Sequence, residues 1–157
     1  MNYIQKIRQK LGHDPFIHPA CRIIVENEAG EILMIRRTDN GQIGIPAGGL
    51  EERETIEMAI RREVKEETGL DLGEVEVVGI SSHPELESVS YPNGDRIQYF
   101  TVEFYSSAWS GTPKPDGEES QEVFWASPDL ISHLSPNEQS AFASLEYYRQ
   151  TAKIRVN

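Results

Sequence analysis

Glu63, Glu66 and Glu67 pose the first chemical question in this sequence. They sit in the run GGLEERETIEMAIRREVKEETGL, from Gly48 to Leu70. Wound as a helix from Ile56 to Thr68, at about 100° per residue, the segment has an apolar stripe of Ile56, Ala59, Ile60 and Val64. Glu63 and Glu67 fall inside that stripe one turn apart, and Glu66 lies on its flank. An ionised carboxylate on a buried face is costly unless something compensates it. The three repel one another, and the helical wheel puts no Lys or Arg on their side. The simplest compensation is a hard divalent cation, which takes oxygen ligands. A solvated helix laced with ion pairs is the usual meaning of a Glu/Arg-rich run, but it leaves the carboxylates on the apolar face unexplained.

The spacing of Gly48, Glu54, Arg62-Glu63-Val64, Glu66-Glu67, Gly69 and Leu70 resembles the Nudix box at every defined position. The resemblance implies an α/β/α sandwich around a central mixed sheet. It further implies hydrolysis of a phosphoric anhydride in a nucleotide, assisted by Mg²⁺ with Mn²⁺ as the alternative. Residue by residue, it assigns metal binding and catalysis to Glu63, Glu66 and Glu67, and a metal contact to the carbonyl of Ala47. It pairs Arg62 with Glu54 as a brace, and Gly48 and Gly49 allow the backbone close to metal and phosphate. Members often recruit one more acid from outside the box. Among Asp116, Glu118, Glu119 and Glu122, the best placed is Glu119. Arg37 stands where relatives place a substrate-binding arginine. Arg53 departs from the pattern, which has glycine there, and this implies either another loop conformation or an extra phosphate contact.

These residues need a frame. Ile4, Ile7 and Leu11 are spaced as a helix face, and residues 1–18 read as an N-terminal helix and linker, the linker running through Pro19. Strands are expected at Ala20–Glu26, Glu31–Arg37, Val75–Ser81, Arg96–Tyr105 and Val123–Trp125, with a short one entering Gly48-Gly49. Thr55 is placed to cap the central helix and Gly69 to end it. Ser135-Pro136 opens a last helix over 135–149. Strands interleaved with a few helices indicate a mixed sheet covered on both faces, here as one domain over 1–157. Tyr91, Tyr99, Phe100 and Trp125 could stack on a base, but most of this set reads as core. The four histidines show no ligand spacing.

Composition narrows the partners. A net charge of −11 argues against general affinity for nucleic acid or anionic membrane, while a nucleotide remains admissible because bound metal can invert the local field. One cysteine, Cys21, excludes an intrachain disulfide and fits a reducing, cytoplasmic setting. No apolar run is long enough to span a membrane. Association into a homodimer is left open. Within the enzyme reading, ADP-ribose or a nucleotide sugar competes with a nucleoside triphosphate. Pro46-Ala47-Gly48-Gly49 and Pro84 resemble the ADP-ribose-cleaving branch. A domain that binds nucleotide without hydrolysing it is the alternative of another class.

Overall fold

A computed structural model describes residues 1–157. Its centre is β1 (Phe16–Val25), and every residue from Ala20 to Val25 is buried. A strand covered on both faces loses the polar alternation of a surface strand. Cys21, Ile23 and Val25 point to one core with Ala59, Ile60 and Val64 of α2 (Ile56–Thr68). Ile24 points to a second core with Ala141 and Leu145 of α4 (Pro136–Thr151). The two helices therefore sandwich the sheet, as expected of the fold.

The sheet is mixed. β1 runs parallel to β8 (Arg96–Ser106) and antiparallel to β4 (Ala47–Gly49). β6 (Glu76–Ser81) and β7 (Ser88–Ser90) pair antiparallel with β8. β11 (Arg155–Val156) lies parallel to β6 on the far edge. A second sheet orders β10 (Ser120–Ala126), β2 (Ile32–Arg37) and β3 (Ile43–Gly44), all antiparallel. β5 (Asp71–Leu72) and β9 (Trp109–Ser110) form a separate pair. α1 (Tyr3–Leu11), α3 (Pro84–Glu87) and a 3₁₀ turn at Pro128–His133 complete the chain. No helix is long and apolar enough to cross a membrane.

Caps explain the bounds of α2. Thr55 Oγ1 accepts the Met58 N–H at 3.1 Å, and Gly69 closes the helix in the left-handed region at φ 77°. The N-terminal boundary differs from expectation, because the first strand starts at Phe16, inside the segment read as linker. β4 pairs with Ala20–Arg22, and its last contact on this side is the Leu50 N–H donating to the Pro19 carbonyl at 3.0 Å, so Pro19 sits where the ladder ends and an edge begins. Pro19 lacks an N–H and is tolerated on such an edge. Ser135 has capping geometry without the capping bond; its hydroxyl donates instead to Glu138 Oε1 at 2.6 Å.

Candidate metal and substrate site

The inner face of α2 carries Glu63 and Glu67, 8% and 3% exposed, whereas Glu66 is exposed. Carboxylate oxygens of Glu63, Glu67 and Glu119 come within 4.8 Å of one another. Burial first, then the Glu63 charge, pushes the Glu67 carboxyl well above the usual range. Burial also raises Glu63, outweighing the Arg62 contact, and it raises Glu119 with help from Asp116. Three oxygen donors, all disfavoured as bare anions, match what a hard divalent cation needs. Glu66 stands outside this cluster, on the rim.

The backbone around the cluster is close-fitted. A Cβ on Gly48 would lie 2.0 Å from Cδ of Glu63, so only glycine lets this carboxyl seat against β4. The Ala47 N–H reaches Glu67 Oε1 at 3.4 Å. Gly49 is constrained by a different neighbour, since its Cβ would lie 2.5 Å from His18 Nε2. Both glycines lie in β4 and make room for protein side chains.

Two arginines overturn the expectation that no cation shares the glutamates' side. Arg62 does brace Glu54, with Nε to Oε1 at 2.7 Å and Nη2 to Oε2 at 3.0 Å. Its Nη1 also donates to Glu63 Oε1 at 2.6 Å, and Nη2 to the Gly49 carbonyl at 3.1 Å. A helical wheel fixes the Cβ direction, but a guanidinium on a long stem sweeps around it. Hydrogen bonding from Arg62 holds Glu54 below the usual carboxylate range. Arg37, from the end of β2, is the second cation, close enough to oppose the rise at Glu67. Its guanidinium makes no hydrogen bond or ion pair within the protein. It borders a cavity of about 220 Å³, shared with Ala47, Gly48, Arg22 and Tyr99.

The acidic loop is not a loose solvated segment. The Asp116 carboxylate accepts the N–H groups of Glu118, Glu119 and Ser120 at 2.9, 3.0 and 3.0 Å. Ser120 Oγ donates to the Glu67 carbonyl at 2.7 Å, tying the loop to α2. Glu119 is thereby held across from Glu63 and Glu67. Arg53 takes φ 64°, the left-handed conformation that glycine prefers, and is exposed. Where the resembled box has glycine, the loop thus takes a conformation that glycine adopts most readily.

Other expectations divide. The aromatic set is not mostly core. Phe100 on β8 and Tyr91 in the turn after β7 are 43% and 39% exposed. Tyr99 is half-buried on the cavity wall, with its hydroxyl 2.7 Å from that of Tyr91. Sequence reasoning missed the cavity floor, where buried Arg22 binds Glu87 and, at 3.0 Å, Glu103. A larger hollow of about 790 Å³ beside Asp71 and Trp109 holds none of the candidate residues.

A mixed sheet between two helices, with a glutamate pair buried on one helix and a third carboxylate facing them, defines a class of α/β/α sandwich with an acidic cluster at its helix–loop edge. The NUDIX domain matches residues 16–148, and the chain belongs to that family. An RNA pyrophosphohydrolase of Pseudomonas aeruginosa is 43% identical over 60 residues, 38% of this chain and 38% of that protein. The chain thus spans well under half the length of this relative. A MutT-like protein of Streptomyces ambofaciens is 36% identical over 109 residues, 69% of this chain and 63% of that one. The crystal structure of the MutT protein from Methanosarcina mazei superposes with a TM-score of 0.68 at 20% identity, covering 88% of this chain and 99% of that one.

Proposed function

We propose that this protein is a Mg²⁺-dependent pyrophosphohydrolase cleaving the diphosphate of a nucleoside diphosphate linked to another moiety, with ADP-ribose or a nucleotide sugar as the leading class. The convergence of Glu63, Glu67 and Glu119 within 4.8 Å, beside the cavity that Arg37 borders, carries this reading. Those three carboxylates, with the Ala47 carbonyl and rim Glu66, would hold the cation; Mn²⁺ suits the same oxygen donors. When bound, the metal neutralises phosphate charge and lowers the pKa of water.

The protein's own groups do the rest. Arg37, with no internal partner, binds a phosphate oxygen by charge-assisted hydrogen bonding. Arg62 fixes the Glu63 carboxylate and ties it through Glu54 and the Gly49 carbonyl to the loop, which preorganises the cluster. Glu119 is the most accessible of the three acids, and its raised pKa suits a carboxylate that takes the proton of the attacking water. In this reading the whole chain, 1–157, is one catalytic unit acting on a small nucleotide in the cytoplasm, as a monomer or a homodimer.

One observation favours a second reading. The Pseudomonas relative is named for RNA, and a 5′-terminal RNA triphosphate presents the same anhydride. The net charge of −11 works against holding an RNA strand. Purified protein with Mg²⁺ should be assayed on nucleotide sugars, ADP-ribose, nucleoside triphosphates and a 5′-triphosphorylated oligonucleotide, with products identified. A nucleoside monophosphate released fastest from a diphosphate-linked compound is the expected result. Faster turnover of triphosphates or of the oligonucleotide would replace the substrate class. Tight binding without turnover of anything would make the protein a nucleotide sensor.

A further inference from the structure

The matched family region begins at residue 16, and α1 lies ahead of it. α1 buries none of its residues, so it adds little to either core. Its inner face is spent on the site. Ile4 lines the 220 Å³ cavity together with Arg37 and Gly48. The Tyr3 N–H donates to Glu51 Oε2 at 2.9 Å, and Lys6 pairs with Glu52 at 2.9 Å, both on the loop between Gly49 and Glu54. Tyr3 also stacks on His18, with ring centroids 5.7 Å apart. His18 is 1% exposed with neither ring nitrogen hydrogen-bonded, so α1 rests there on an aromatic contact. At the other end Arg8 donates to the carbonyls of Asp14 and Arg96 at 2.7 and 2.9 Å and lies over the Phe16 ring. The helix is pinned at both ends across the cavity mouth.

Charge sorts the cavity. On its floor Arg22 stands between Glu87 and Glu103, one cation for two carboxylates, so nothing there attracts a phosphate. The unpaired cation is Arg37. Among the other lining residues Ile4, Tyr91 and Tyr99 offer apolar bodies, and Thr101 and Asn137 are polar and uncharged. A volume of about 220 Å³ falls below the roughly 300–1,000 Å³ of sites for drug-sized ligands, which fits one ring system.

We propose that α1 is a specificity element of this site, with Ile4 closing the cavity over the uncharged ring of a nucleoside 5′-phosphate while Arg37 holds the phosphate. This rests on the proposed function in placing substrate phosphate at the Arg37 end. Ile4 lines the cavity and is not part of the Glu63, Glu67 and Glu119 cluster, so changing it alters ring binding and leaves the chemical step alone.

The test is equilibrium binding of AMP, GMP and ribose 5-phosphate, without metal, to wild type, Ile4→Trp and Ile4→Ala, with melting curves for each. Ile4→Trp, which fills the cavity, should weaken AMP and GMP at least about tenfold and shift ribose 5-phosphate by less than about twofold. Ile4→Ala, which opens the wall, should weaken the same two ligands by a smaller factor and serves alone if the tryptophan variant melts early. In turnover both variants should raise KM and leave kcat unchanged. Equal losses for ring-bearing and ring-free ligands, no loss for either, or wild type holding ribose 5-phosphate as tightly as AMP would each overturn the proposal. Binding as expected, with no diphosphate hydrolysed by wild type, would sink the enzyme reading and leave α1's role standing.

Discussion

Glu67 is the residue on which most of the site's energetics turn. It is 3% exposed, faces Glu63, and keeps its proton above the usual carboxylate range. The folded metal-free protein therefore binds a proton here that the unfolded chain has released. Stability from this group is full below about pH 4.5 and is lost as pH rises through the raised pKa. Buried His18, lowered from 6.5, acts oppositely, removing stability as pH falls below that value. The comparison that isolates Glu67 is wild type against Glu67→Gln: without metal, melting temperature should fall with rising pH more steeply in wild type. Identical slopes would mean the carboxyl is not perturbed. With saturating Mg²⁺, Glu67→Gln and Glu63→Gln should lower kcat by on the order of 10³ if metal and water activation supply several kcal/mol. Near-normal turnover in both would remove them from the metal site. Arg53 presents a backbone effect: Arg53→Gly should relieve left-handed strain but loosen the unfolded chain, for a net shift within about 1 kcal/mol. Arg53→Ile should destabilise by roughly 1–2 kcal/mol, and denaturant midpoints would separate the two.

At the scale of elements, the site depends on a helix and a loop meeting across a sheet edge. α2 is fixed by its Thr55 cap, its Gly69 terminus and its packing on β1. The 116–120 loop has no such core. It is organised by one carboxylate receiving three backbone N–H groups and by the Ser120 hydroxyl on α2's Glu67 carbonyl. Asp116→Ala removes that organiser while keeping the three clustered acids. Activity should fall about 10- to 100-fold, the usual cost of releasing a group that orients a metal ligand, with KM nearly unchanged and little change in melting temperature. Unaltered kcat would show that Glu119 needs no positioning, or no part in the reaction.

The whole molecule is joined by a buried polar chain running beneath the cavity. Arg22 of β1 binds Glu87 of α3 and Glu103 of β8; Thr101 donates to Glu87 at 3.1 Å, and Ser144 of α4 to Glu103 at 2.7 Å. Gly79 leaves room for it, since a Cβ there would lie 2.4 Å from Glu103 Oε1. The cavity floor is therefore set by contacts among three strands and two helices. Arg22→Met strands two buried carboxylates and should cost about 3–5 kcal/mol. Adding Glu87→Gln and Glu103→Gln should recover much of that loss in a denaturant titration. No recovery would mean that Arg22 stabilises by packing and not by charge.

The apolar-face placement of Glu63 and Glu67 and the Thr55 and Gly69 ends of α2 were legible in the sequence, because each depends on local spacing along one element; the mixed sheet covered by helices was legible in the order of elements, and the Arg62–Glu54 brace only through the resemblance to the Nudix box. Helical periodicity alone put Glu63 and Glu67 on an apolar face, and the structure buries both. What spacing cannot encode is reach and convergence across the sheet. Only the tertiary structure brings Arg62 round to Glu63, sets Arg37 near Glu67, and carries Glu119, which the resemblance had singled out, to within 4.8 Å of the helix pair. The strand start at Phe16 was hidden because a proline reads as a linker until its edge position is known. Arg22 with Glu87 and Glu103 was hidden for a related reason: residues 65 and 81 positions apart carry no mutual signal until parallel pairing of β1 with β8 sets Arg22 beside Glu103 and the chain folds α3 back over them.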